Sequence, residues 1–104
     1  MERVNEQSTA YLSVGFRDKA GALATPTAIS YRIDDVATGQ EIRDDTAVTP
    51  ASSVEITLTP NDNAMVSAAR EIEVHAVTVD ATYGASDAVR ARYLYEVANL
   101  QVEV

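Results

Sequence analysis

The sequence predicts an all-β fold, an antiparallel sandwich of about seven strands. Two observations carry that expectation. Apolar residues recur at every second position through most of the chain, and turn-forming residues interrupt the pattern roughly every ten residues. The third observation is negative. No long stretch has helical periodicity, which argues against a βαβ architecture.

The chain has 104 residues, enough for one domain with a modest core. It has no cysteine, so neither a disulfide framework nor a thiolate metal site is expected. Residues 1–8 are polar and read as a flexible or partner-ordered N-terminal arm, without the apolar core of a secretory signal. That predicts synthesis and folding in the cytosol.

Residues 9–98 carry the sandwich. Ala10, Leu12, Val14 and Phe16 alternate with Tyr11, Ser13, Gly15 and Arg17, the period of a half-buried strand. Thr27, Ile29, Tyr31 and Ile33 form a second such set behind Pro26, where a missing N–H costs little. Thr38-Gly39 supplies a turn, and Glu41-Ile42-Arg43 a short returning strand that sets Asp35 across from or diagonal to Arg43. Val54, Ile56 and Leu58 alternate between Pro50 and Pro60. Residues 64–70 have room for one helical turn. Ile72, Val74 and Ala76 then alternate with Glu71, Glu73 and His75, after which the apolar phase shifts to Val77, Val79 and Ala81. A bulge or burial on both faces would explain the shift. Residues 83–87 read as a turn, and Val89, Ala91, Tyr93, Tyr95 and Val97 as a long last strand. Residues 99–104 read as a tail or extra edge strand. With neither tryptophan nor a cysteine pair, an immunoglobulin-like domain of fibronectin-III-like type fits better than an antibody-type one.

Composition excludes several functions. Sixteen acidic against eight basic residues give a net charge of −8, which repels nucleic-acid backbones and anionic membranes. There is no glycine-rich phosphate loop, and no cofactor is expected. The single histidine, His75, lacks any motif that would supply a nucleophile and an orienting acid. It reads as a surface or interface residue on the polar face of a strand. Asp34, Asp35, Asp44 and Asp45 flank the proposed hairpin, but their spacing matches no calcium loop and Arg32 and Arg43 stand nearby, so no metal is expected. No catalytic site is expected. Tyr83, Arg90, Arg92, Tyr93 and Tyr95 form a candidate interface, being of types enriched where proteins meet. The competing reading turns Tyr93 and Tyr95 into the core with their hydroxyls at its rim.

The segments Thr27-Ala-Ile-Ser-Tyr-Arg-Ile-Asp-Asp35 through Thr38-Gly39, Thr49-Pro50-Ala-Ser-Ser-Val-Glu-Ile-Thr-Leu-Thr-Pro60, and Val77-Thr-Val-Asp-Ala-Thr-Tyr-Gly84 resemble small immunoglobulin-like structural proteins of tailed bacteriophages and prophages. The resemblance is one of strand texture over residues 9–100, and it brings no catalytic residue with it. It implies a virion component, such as a capsid decoration protein or a head–tail or tail accessory domain. Such a protein is made in the bacterial cytoplasm, binds other virion proteins, and acts as a homo-oligomer or lattice-bound copy. An adhesin-like module, recognising a host protein or glycan through loops 34–40 and 83–87, is the alternative.

Overall fold

The computed structural model describes residues 1–67 and 69–100. Seven strands and no helix are found among them: β1 (Glu2–Asn5), β2 (Ala10–Gly15), β3 (Ala28–Asp35), β4 (Glu41–Val48), β5 (Ser53–Leu58), β6 (Ile72–Tyr83) and β7 (Asp87–Ala98). They form two sheets, one of five strands in the order β1-β7-β6-β3-β4 and one of two, β2-β5. The all-β expectation holds, with three differences. Glu2–Asn5, read from sequence as part of an arm, is a strand. It runs parallel to β7, pairing Glu2 with Tyr95 and Asn5 with Ala98, so the larger sheet is mixed and not purely antiparallel. No helical turn forms over the described part of 64–70. The tail reading for 99–104 falls mainly on residues 101–104, outside the described residues.

The alternation seen in sequence builds the core. Val14, Ile56 and Leu58 of the small sheet, with Phe16 just beyond β2, face Ile29, Tyr31, Ile33, Val77, Val79, Ala81, Tyr95 and Val97 of the large one. Ile33, Val77 and Val97 are completely buried. Burying each such side chain contributes about 1.5–3 kcal/mol. Glycines close two hairpins at positive φ, Gly39 between β3 and β4 and Gly84 between β6 and β7, where a side chain would be strained.

Asp35 lies diagonal to Arg43 and not directly across from it, and the two side chains do not pair. The β3–β4 register shifts twice, so Arg43 pairs with Ile33. Its Nε instead donates to Asp62 Oδ1 at 2.8 Å, while Asp35 pairs with Arg70. The extra residues bulge β4, which is the edge strand.

β6 carries the larger surprise. Its pairing with β7 runs from Ile72 opposite Ala98 to Tyr83 opposite Asp87 without a register shift, so no bulge resets the phase. Glu73 and His75 lie on the same face as Val77, Val79 and Ala81, and all are buried. Ala76, on the opposite face, is buried as well. The polar face of the first half of β6 therefore points into the protein, and His75 is a buried residue, not a surface one. It is tolerated because its neighbours satisfy it, as described below.

The molecule is elongated, about 51 × 20 × 20 Å. β6 and β7 have twelve residues each against six in β2 and β5. At about 3.3 Å per residue the small sheet cannot cover the full length of the large one.

Candidate functional site

The length mismatch leaves one strip of the large sheet uncovered. In β7, alternation and register place Val89, Ala91, Tyr93, Tyr95 and Val97 on the face toward the small sheet, opposite Ala81, Val79, Val77, His75 and Glu73. Tyr95 and Val97 lie beneath that sheet and are buried. Val89 and Tyr93, further along, are 49% and 37% exposed. A cleft of about 360 Å³ runs between β2 and β7, bounded by Ala10, Leu12, Tyr93 and Tyr95 and closed at one end by Val4 of β1. A second, of about 250 Å³, continues it between Val14, Phe16, Val89 and Ala91. Tyr11, Leu23 and Leu94 stand exposed nearby.

The five candidate interface residues divide accordingly. Tyr83, Arg90, Arg92 and Tyr93 lie on or beside the strip. Tyr95 does not contribute a surface: it is buried, its ring meets His75 edge-on at 5.6 Å, and its hydroxyl donates to Asn63 Oδ1 at 2.8 Å. Burial pushes its phenol well above the ordinary tyrosine value.

Charge is unevenly distributed around the strip. Arg3, Arg32, Arg43, Arg70 and Arg90 each hold a carboxylate partner. Among the described residues Arg17, Lys19 and Arg92 hold no ion pair; Arg92 borders the larger cleft, Arg17 the smaller, and Lys19 stands beside the β6–β7 hairpin. The chain is strongly acidic overall, yet its uncommitted basic side chains collect here.

A second cluster, absent from the sequence reading, lies inside. Asp35, Glu73 and His75 are buried, with carboxylate and imidazole atoms within 4.8 Å of one another. Glu73 accepts from the backbone N–H groups of Val66 and Ser67 at 2.8 and 2.7 Å, from Arg70 Nη2 at 2.9 Å, and pairs with His75 Nε2 at 3.0 Å. Arg70 Nη2 also donates to Asp35 Oδ2 at 3.1 Å, beside the amide and hydroxyl of Thr38. Burial alone would push both carboxyls up. For Glu73 the amides of Val66 and Ser67, the His75 hydrogen bond and the Arg70 charge outweigh it. For Asp35 the bonds from Thr38 and Arg70 do so. Both end below the ordinary carboxylate range.

The donor set resembles a metal site in type, and Asp35 Oδ1 and His75 Nδ1 are buried without a hydrogen-bond partner among the described residues. Yet Arg70 already supplies the positive charge that a cation would bring, touching both carboxylates, and each Glu73 oxygen already accepts two donors. The arrangement suits an ion-pair network that ties β3 and β6 to segment 66–70. The four aspartates weighed from sequence do not gather either. Asp34 pairs with Arg32, Asp35 turns inward, and Asp44 Oδ1 accepts from the Asp45 amide.

No family model matches the chain, and neither a curated protein nor a solved structure matches it significantly.

Proposed function

We propose that the chain is a non-enzymatic contact domain, an immunoglobulin-like virion structural protein of the tailed-phage kind that its sequence resembles, binding a capsid or tail surface. The observation that carries the contact reading is the uncovered strip on β7. Val89 and Tyr93 are exposed beside two clefts, while the rest of the same strand face is core. A contiguous exposed apolar surface beside a groove is a feature of association sites.

Strand order supports the immunoglobulin-like assignment. With β2 and β5 as strands B and E, and β3, β4, β6 and β7 as C, C′, F and G, the B–E pair packs on a G-F-C-C′ sheet, an order compatible with the fibronectin-III-like reading. The parallel β1–β7 pair extends that sheet. Many copies on a repeating surface would bind tightly through avidity even where each contact is weak.

The test is co-sedimentation with purified heads and tails of the phage or prophage that encodes the chain. Wild type is expected to pellet with one of them and Tyr93→Asp to remain in solution. Removing residues 1–8 is a poorer test, because it removes β1. Equal pelleting of wild type and Tyr93→Asp, or of neither with any particle, would overturn the proposal.

A further inference from the structure

We propose that the open edge of β7, over residues 87–94, takes up an extended segment of a partner protein in which apolar side chains alternate with acidic ones, laid in line with β1. The proposal rests on the contact reading and names the chemistry of what is contacted.

One edge of β7 pairs with β6 along its whole length, whereas β1 covers the other edge only from Tyr95 to Ala98. The remaining backbone groups on that edge are open to another strand. Its other free-edge competitors are short or guarded, and β1 at the end of the sheet has only four residues. β4 is bulged and carries Glu41, Asp44 and Asp45, and β5 carries Glu55 and lies between Pro50 and Pro60. Bulges, charges and prolines are the usual means of keeping an edge unpaired. β2 has no charge, but it flanks the same groove from the other sheet and is half as long as β7.

The side chains of β7 specify the incoming strand. Val89, Ala91 and Tyr93 point toward the groove, and Arg90 and Arg92 toward the opposite face. Neighbouring strands put like faces together. Apolar residues of the added strand would therefore cover Val89, Ala91 and Tyr93, and its other residues would stand beside Arg90 and Arg92. Arg92 has no carboxylate partner among the described residues, and Arg90, itself exposed, pairs only with Asp80. Acidic residues complement that row.

The experiment titrates isotope-labelled full-length protein with two synthetic heptapeptides, Glu-Val-Glu-Val-Glu-Val-Glu and its lysine counterpart, and follows backbone amide shifts. The acidic peptide is expected to shift amides of residues 87–94, and the lysine peptide to bind at least roughly tenfold more weakly, as two cross-strand charge pairs imply. In the double variant Arg90→Glu/Arg92→Glu the preference should reverse. Equal binding of both peptides, or shifts confined to β2, β4 or β5, would overturn the inference. Particle binding separates it from the reading beneath it. If Tyr93→Asp abolishes pelleting but Arg90→Glu/Arg92→Glu does not, the strand-addition inference falls and the contact reading stands. If neither variant changes pelleting, both fall.

Discussion

Replacing Glu73 by glutamine changes one atom in the most heavily bonded side chain of the interior. The carboxylate is completely buried and meets four donors: the amides of Val66 and Ser67, Arg70 Nη2 and His75 Nε2. An amide oxygen at either position keeps two of them. The amide NH₂ must then face at least one fixed N–H donor, the amide of Val66 on one side or that of Ser67 and Arg70 on the other, and Arg70 loses one of its two carboxylates. Breaking a buried charge pair from one side costs about 3–5 kcal/mol, a large share of the roughly 5–15 kcal/mol that holds a domain together. The melting temperature should fall by more than about 12 °C, taking the lower bound of 3 kcal/mol at about 4 °C each. Urea unfolding followed by far-ultraviolet circular dichroism reads the same loss directly. The variant should also respond differently to acid. Asp35 and Glu73 both sit below the ordinary carboxylate range when folded. The stability they supply is complete above that range and is lost as pH falls through their depressed folded values. Wild type should weaken steeply there, and Glu73→Gln should show a shallower slope. A loss under about 1 kcal/mol, with an unchanged acid slope, would refute the network described here.

Other perturbations follow from the same structure. Ile33→Ala, at a completely buried position, should cost about 2–5 kcal/mol in urea unfolding, and Ile33→Val about 0.5–1.5 kcal/mol. Tyr95→Phe strands Asn63 Oδ1, which the hydroxyl now satisfies, and should cost about 1–3 kcal/mol by the same assay. Zinc or calcium in tenfold excess should leave the melting temperature unchanged in a thermal-shift experiment, because Arg70 holds the cation's place. A clear rise would show that the guanidinium yields to a metal. Tyr93→Asp should change folding stability by less than about 1 kcal/mol, since the ring is partly exposed.

The strands most legible in the sequence are those with one wet face and one dry face. β2 and β5 alternate cleanly, and the alternation in sequence became their burial pattern. β1 was not legible. Glu2-Arg3-Val4-Asn5 has a single apolar residue, and what makes it a strand is the edge of β7, more than ninety residues away in sequence. β6 misled for a different reason. Ile72, Val74 and Ala76 look like an inward face, but Val77, Val79 and Ala81, which lie beneath the small sheet, set the phase. Reading back from that run puts His75 and Glu73 inside. That signal in the sequence runs against the habit of charged residues to stand outside. That habit fails when Asp35, Arg70 and two backbone amides stand ready to meet them. Of the candidate interface, Arg90, Arg92 and Tyr93 stand exposed and Tyr83 is half-buried, as polar and amphipathic residue types allow, whereas the burial of Tyr95 depends on where the short sheet ends.

Hydrogen–deuterium exchange of the protein, free and bound to the particle that it sediments with, tests the contact reading most directly. Binding through the strip predicts slowed exchange across residues 87–94, with the edge strand β4 unchanged. Protection confined to β4, or an unaltered β7 in the bound state, would contradict it.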